Sequence, residues 1–435
     1  MNISYFVSAI GVFAENLKLL LKQRTIAVSE VQFMKFRALI EYAWNEIPAY
    51  RKHWSDNGFD PSQFKSLEDV CKIPKIDKNF VRKHLEDMIP CNYDRGRLSL
   101  VKTGGTTGMP MNFYIDQYVA RPKELAYQLW GGWHYWKHRQ GLDKVVTMRG
   151  ARIKESLVRN GIYWQRNPRE NGLLMSSFHI LEETYLLYLN KLRTYRPRFI
   201  KAYPSSIAAF CYLMKKHGDI GIEGLKGVIC SSETIYDWHR TLVRDTLRVE
   251  ILSFYGHSEK AVCAFQDKNG NMEFPALYGY TEFLDEDGLP VNSKEESAYV
   301  VATSFDNKYF PFIRYETDDR VDVLSNGIPM LAERVVGRKQ EFIYDRYGNI
   351  LPFTCNDEVI WGVEGIIAYQ YVQHEKGKLE LYLQVDSIFE NDSVSEIISR
   401  TEEIFMNCTI NIKIVNEIEK TPSGKFRYLI QNIVW

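Results

Sequence analysis

From Lys144 to Phe254 the chain alternates short β-rich runs with stretches of helical periodicity, and this constrains the fold more than any other feature of the sequence. The runs are Lys144 to Met148, Arg198 to Ala202, Gly227 to Cys230 and Val249 to Phe254. Between them, Glu182 to Tyr195 places Tyr185, Tyr188, Leu189 and Leu192 on one helical face. Strands alternating with helices predict an α/β unit with a largely parallel sheet.

The flanks read differently. About residues 1–90 form a helical start, in which Ser29 with Gln32 reads as a capping box and Val31, Met34, Ala38, Leu39, Tyr42 and Ala43 recur at helical spacing. Asp60-Pro61 and Ile73-Pro74 mark loops. Residues 261–330 carry strand-like segments broken by Lys268-Asn269-Gly270-Asn271, Asp285-Glu286-Asp287-Gly288 and Asn326-Gly327, which predict an antiparallel sheet or small barrel. After Gly337-Arg338, residues 339–435 read as a small α+β domain. Its strands are expected near 341–345, 366–373, 379–385 and 410–415, with a helix near 391–407.

Charge narrows the partners. Lysine plus arginine and aspartate plus glutamate both number 55, so the chain lacks the basic excess of a protein that lives on nucleic acid or an acidic membrane face. Seven scattered cysteines, with no CxxC, spell neither a zinc site nor a disulfide framework, so no structural metal is expected and a reducing cytoplasm is. Met1 to Ala14 is uncharged, but Glu15, Lys18 and Lys22 follow it where a signal peptide would end in small residues. Residues 3–21 read as a helix packed on the body, with shallow membrane contact as the alternative. No uncharged run has the ~18 residues of a membrane span.

Four local patterns carry chemistry. Lys102-Thr103-Gly104-Gly105-Thr106-Thr107-Gly108-Met109-Pro110 has the glycines and hydroxyls of a phosphate-binding loop without the lysine of Walker A, and reads equally as a tight turn. In Ser253-Phe254-Tyr255-Gly256-His257-Ser258-Glu259 an aromatic and a glycine at a strand end can wall a base pocket, with oxygen ligands for phosphate and a hard cation following. A surface turn has the same composition. Arg314-Tyr315-Glu316-Thr317-Asp318-Asp319 offers a carboxylate for ribose hydroxyls or a solvated strand end. Lys420-Thr421-Pro422-Ser423-Gly424-Lys425-Phe426-Arg427 alone is a basic tail.

Together, in this order and spacing, the four resemble the adenylate-forming superfamily of acyl-CoA synthetases and adenylation domains. Thr103 to Pro110 resembles its phosphate loop, Tyr255 to Glu259 its YG(x)(S/T)E motif, Tyr315 to Asp319 its YxTGD motif, Gly337-Arg338 its ribose and hinge motif, and Ser423-Gly424-Lys425 its terminal lysine loop. The chain is most similar to the phenylacetate-CoA ligase branch and its CapK-like members, which are associated with capsule and surface-polysaccharide gene sets. Ser177-Phe178-His179, Lys201 to Ser206, Ser231-Ser232-Glu233 and Pro311 to Tyr315 extend the similarity, which spans about residues 70–430. Three positions depart from the pattern. Met111 stands where a lysine commonly follows the phosphate loop, Asp318 takes the glycine position of YxTGD, and Lys339-Gln340-Glu341 replaces the acidic hinge pair.

The resemblance implies a large adenylation domain over residues 1–338 and a small mobile α+β domain over 339–435, with ATP and Mg2+ as cofactors. It casts Lys425 as the catalytic lysine, Glu259 as catalytic and magnesium-holding, and Thr103, Gly104, Gly105, Thr106, Thr107 and Gly108 as the phosphate cradle. Ser232, Glu233, Tyr255, Gly256, His257, Ser258, Asp319 and Arg338 fall to the adenine and ribose, and Phe178, His179 and Tyr203 to the acid pocket. The implied reaction makes an acyl-adenylate from a carboxylic acid and ATP, then passes the acyl group to a thiol, coenzyme A in most of the family. Transfer to an amine of a sugar or amino acid is the second reading, and a catalytically inactive nucleotide- or acyl-binding protein the third. Oligomeric state is left open.

Overall fold

The structure is a computed structural model. It describes residues 3–21, 28–102, 111–150, 153–292, 297–338, 342–348, 350–352, 359–360, 363–390, 392–405, 407–418 and 427–433. Contacts divide the chain into two compact units, Met1–Gln140 with Phe254–Val336 and Gly141–Ser253 with Gly337–Trp435.

The first unit opens with helices α1 (Ile3–Leu21), α2 (Val28–Glu46), α3 (Pro48–Asp56) and α4 (Lys78–Lys83). Strands β1 (Leu98–Lys102) and β2 (Asn112–Asp116) and helix α5 (Ala120–Trp136) follow. Helix α1 packs on α5 by setting Phe13 edge-on to Trp130 at 5.2 Å and against Trp133 at 5.8 Å. No described helix is long and apolar enough to cross a membrane. Helix α2 is where the expected helix lies, but two details of the reading are corrected. Gln32 is no cap: it is buried and donates to the carbonyls of Ala276 (2.9 Å) and Gly279 (3.4 Å). The core stripe runs through Phe36, Leu39, Ile40 and Ala43, while Met34 and Ala38 face solvent.

The second unit builds the expected α/β layer. Its elements are β3 (Val145–Met148), α6 (Glu155–Val158), β4 (Trp164–Asn167), β5 (Gly172–Met175), α7 (Tyr185–Tyr195), β6 (Phe199–Ala202), α8 (Pro204–Lys216), β7 (Gly227–Cys230), α9 (Asp237–Leu247) and β8 (Ile251–Gly256). The strand order is β4-β5-β3-β6-β7-β8, parallel except for β4. Every residue of β7 is buried, as expected of a strand covered on both faces. The buried residues of α7 are Tyr185, Tyr188, Leu189 and Leu192, the face its periodicity marks.

Strand β8 pairs with β7 through Val228↔Ile251, Ile229↔Leu252 and Cys230↔Ser253; its last residues, Phe254–Gly256, belong to the first unit and there pair antiparallel with β9 (Cys263–Gln266). There the chain continues through β10 (Met272–Phe274), β11 (Gly279–Leu284), β12 (Ser297–Ser304), β13 (Tyr315–Asn326) and β14 (Met330–Arg338), in the order β11-β12-β13-β14-β10-β9. This is the expected antiparallel sheet, with Gly270 and Gly288 at positive φ in two of the marked turns.

Residues from Gly337 onward belong to the second unit. They form β15 (Phe342–Tyr344), β16 (Ile350–Pro352), β17 (Ile366–Glu375), β18 (Lys378–Val385), α10 (Ser393–Ile404), β19 (Thr409–Val415) and β20 (Leu429–Gln431), an α+β arrangement with sheet order β19-β18-β17-β20. Leu379, Leu381 and Leu383 alternate inward on β18, and α10 buries Ile397 against the same core. Tyr236, ahead of α9, joins that core.

The ring of Tyr428 stands edge-on to Tyr236 (5.4 Å) and Trp238 (5.9 Å), and its hydroxyl meets His239 Nε2 at 3.0 Å. The Tyr236 N–H donates to His239 Nδ1 (3.1 Å), so the neutral ring carries its proton on Nε2 and donates to Tyr428.

Burial, helped by Arg240, pushes the His239 imidazole down to about 3. The folded ring thus stays neutral while the unfolded one protonates near ~6.5, so its contribution is complete above that pH and is lost as pH falls toward about 3. Urea unfolding at about pH 7.5 and about pH 5 should show the wild type losing up to about 1.4 kcal/mol per pH unit more than His239→Gln. Equal losses in the two proteins would refute this.

Candidate active site

Alternation along β13 sends Tyr315, Thr317 and Asp319 to the buried face together with Val321 and Val323. Asp319 is 4% exposed, and a carboxylate that far from water needs donors. Two come from the end of β8 and the turn after it. The Tyr255 hydroxyl donates to Asp319 Oδ2 at 2.8 Å, and His257 Nε2 approaches the same oxygen at 2.5 Å. The hydroxyl also lies 2.9 Å from His257 Nε2, so three side chains close one cluster. Gly256, between them, has no room for a side chain, since a Cβ would come within 2.9 Å of the Phe254 ring.

His257 Nδ1 is buried and has no hydrogen-bond partner among the described residues. A buried, unpaired ring nitrogen calls for a polar partner beyond the described residues, and a ligand group is one that could supply it. Glu259, 5% exposed, accepts from the Tyr315 hydroxyl at Oε1 (3.2 Å), its hydrogen-bond partner among the described residues. One carboxylate beside phosphate oxygens is how proteins commonly hold Mg2+, so this donor set fits that ion. No group of three potential metal-ligating side chains occurs among the described residues.

Asp318 and Asp319 divide the work. Asp318 has φ +65°, the left-handed conformation that suits glycine and that aspartate tolerates better than most residues. Its carboxylate turns to the Lys78 ammonium at 2.6 Å, on the solvent side of the strand. Lys78 carries no signal in its own neighbourhood, lying 240 residues away in sequence.

In the second unit, the ends of the parallel strands collect the other motifs. Arg149-Gly150 follows β3, Ser176-Ser177 follows β5, Tyr203 follows β6 and Ser231-Ser232 follows β7. Ligands of open α/β sheets bind beyond these carboxyl ends. Ser232 has φ +73°. Glu233 takes hydrogen bonds from the Ser205 N–H (3.0 Å) and hydroxyl (3.1 Å), which ties the loop to the first turn of α8. Phe178 and His179 are half-buried, with His179 Nδ1 2.8 Å from Ser176 Oγ and its ring stacked on Tyr163. Tyr203 is buried, which raises its phenol above the usual range although the Arg149 charge pulls it back. Arg149 was absent from the sequence-based set, and its place at a strand end in an α/β layer was the available signal.

Thr103 to Pro110 and Ser423 to Lys425 lie outside the described residues, as do Lys339 to Glu341. Strands β1 and β2 pair up to Lys102↔Asn112 on either side of the first of these segments. Met111 is fully buried in the core of the first unit. Arg338 ends β14. Ser258 lies in the turn between His257 and Glu259.

Residues 344–432 match the family model described as the CapK C-terminal domain. The chain is 24% identical to Protein CapK of Staphylococcus aureus over 418 residues, covering 93% of this chain and 89% of the relative. It is 23% identical to the phenylacetate-coenzyme A ligase of Pseudomonas putida, covering 77% and 76% of the two chains. Among solved structures, 2-hydroxyisobutyryl-CoA ligase in complex with 2-HIB-AMP in the postadenylation state matches with a TM-score of 0.72 at 18% identity, over 93% of this chain and 89% of that one.

On the expectation that Asp319 accepts from two ribose hydroxyls, Asp319→Ala should weaken ATP binding, each lost bond being worth about 1.5–3 kcal/mol. Asp318→Gly should leave nucleotide affinity unchanged and shift stability by no more than about 1 kcal/mol, because a glycine suits φ +65° and an exposed ion pair contributes little. Calorimetric titration with ATP and urea unfolding of both variants would check the pair, and the opposite ranking would overturn it. Over most of its length the chain is thus similar to CapK and to phenylacetate-CoA ligases, and it shares the fold of a solved acyl-CoA ligase.

Proposed function

We propose that this protein is an ATP-dependent, AMP-forming ligase that activates a carboxylic acid as an acyl-adenylate, releases pyrophosphate and passes the acyl group to the thiol of coenzyme A. The observation that carries the reading is the cluster of half-buried Tyr255 with buried His257 and Asp319, and Glu259 beside Tyr315, formed by the two motifs that resemble the superfamily's nucleotide-binding pair. Curated relatives named as coenzyme A ligases support it, as does a solved homologous fold that holds an acyl-AMP and, in another structure, coenzyme A.

A carboxylate is a poor electrophile until its oxygen has attacked the α-phosphorus of ATP and made AMP the leaving group. In this reading Asp319, pinned by Tyr255 and His257, accepts from the ribose hydroxyls, while Nδ1 of His257 meets a polar group of the nucleotide. Ser232, with its neighbour Glu233 tied to α8, faces the adenine, and Arg338 assists at the ribose. Thr103, Thr106 and Thr107, with Gly104, Gly105 and Gly108, cradle the β and γ phosphates, and Glu259 would hold Mg2+, whose charge would offset that of the phosphates. Lys425 places a positive charge where charge builds in the transition state. Phe178, His179 and Tyr203 contribute to the acid pocket. Residues 339–435 act as a lid that pivots near 337–341, and the cytoplasm supplies ATP and the acceptor.

An amine acceptor is the second reading. It leaves the adenylation step unchanged and alters only the nucleophile that takes the acyl group.

The test is pyrophosphate release from ATP with phenylacetate, 2-hydroxyisobutyrate, anthranilate and further acids, followed by mass spectrometry of products formed with coenzyme A or an amino sugar. Thioester is expected. Amide without thioester would replace the acceptor, and no acid-dependent release would reject the activity. Lys425→Ala should cut the rate of adenylate formation by about a hundredfold or more with ATP affinity nearly unchanged. Equal rates would remove Lys425 from the mechanism.

A further inference from the structure

Arg149 is the first residue beyond the carboxyl end of β3, the strand between β5 and β6 in the parallel layer. Its guanidinium is exposed, yet it is fixed: Nη1 donates to the Ser231 hydroxyl at 2.7 Å, and Ser231 is 5% exposed. The next residue, Gly150, has φ +61° and donates its N–H to Oγ of the fully buried Ser177 at 3.0 Å. The turn after β3 is therefore tied to the turns after β5 and β7, and the arginine stands where those turns meet.

The carboxylates in its surroundings have other donors. Glu170 is paired with Lys201 at 2.9 Å, and Glu233 accepts from Ser205 with both oxygens. Among the described residues no carboxylate lies within ion-pair distance of Arg149, and its hydrogen bond to Ser231 uses one of five donors. The charge of Arg149 reaches Tyr203, which follows β6, and from beyond ion-pair distance the Glu170 carboxylate. A solvated surface arginine has neither a buried anchor nor a place at the strand ends where α/β sheets bind ligands.

We infer that Arg149 is an anion-binding residue at the carboxyl edge of the parallel sheet, whose planar fork takes a carboxylate or phosphate oxygen of the reactants. The shape suits either ion, because a guanidinium presents two parallel donors to both. Its part in the reaction rests on the adenylation reading, but its binding of anions does not.

The experiment measures affinities by calorimetric titration of the full chain with AMP, inorganic pyrophosphate, phenylacetate, 2-hydroxyisobutyrate and anthranilate. Wild type is compared with Arg149→Ala, Arg149→Lys and the charge control Arg159→Ala, all verified as folded by circular dichroism. Arg149→Ala should bind at least one class of probe about tenfold or more weakly, Arg149→Lys should fall between, and Arg159→Ala should match wild type. Loss confined to the carboxylates identifies the acid as the anion held, and loss confined to AMP and pyrophosphate identifies a phosphate. Retention of every wild-type affinity by Arg149→Ala, an equal loss in Arg159→Ala, or no binding of any probe by wild type would overturn the inference. If wild type releases no pyrophosphate with any acid while Arg149-dependent binding persists, the adenylation reading fails and the anion site stands.

Discussion

A carboxylate buried in a protein must be surrounded by donors, and in the first unit Tyr255 and His257 answer that demand at Asp319. The period-two alternation of β13 turns this residue inward with Tyr315 and Thr317. The donors then have to come from a neighbouring element, and the end of β8 supplies Tyr255 and His257 within hydrogen-bond reach of one oxygen. Because that oxygen is held from two directions, the carboxylate is fixed before any ligand arrives. An acceptor aimed in advance avoids the ordering cost that a free side chain would meet on binding.

The second unit handles polarity differently. Its parallel strands are covered on both faces and carry almost no polar groups within the layer, so the hydrogen-bonding side chains gather at the strand ends. Some are occupied by the scaffold, as Glu233 is by the first turn of α8. Arg149 is anchored through one donor to the Ser231 hydroxyl. The terminal α+β segment joins the same unit through an aromatic socket at the start of α9, where Tyr428 meets Tyr236, Trp238 and His239.

What could be read in advance follows how local each signal is. The face of α7 and the strands β3, β6 and β7 were legible because burial imposes a period of 3.6 or a short apolar run on adjacent residues. Tyr255, His257 and Asp319 were legible as members of ordered motifs, but their mutual contact was not, since the cluster spans 64 residues. Gln32 misled because a capping box is a local pattern, whereas its real partners lie 244 and 247 residues on. The exposed side of α2 depended on what packs against it, so Met34 was placed inward by spacing and sits outward in fact. Arg149 escaped notice because one arginine after a strand looks like any other until the neighbouring strand ends are known.

The left-handed backbone at residue 318 has a further consequence. Such a site is best filled by glycine, and an aspartate there bears a conformational cost that the Lys78 ammonium helps to offset. The two side chains are thus one solution to a local problem for which glycine is another. Among homologous chains, aspartate here should accompany a lysine or arginine at the position of Lys78, and glycine should leave that position unconstrained. A pair of sites 240 residues apart would then drift together through evolution while Asp319, its immediate neighbour, stays fixed.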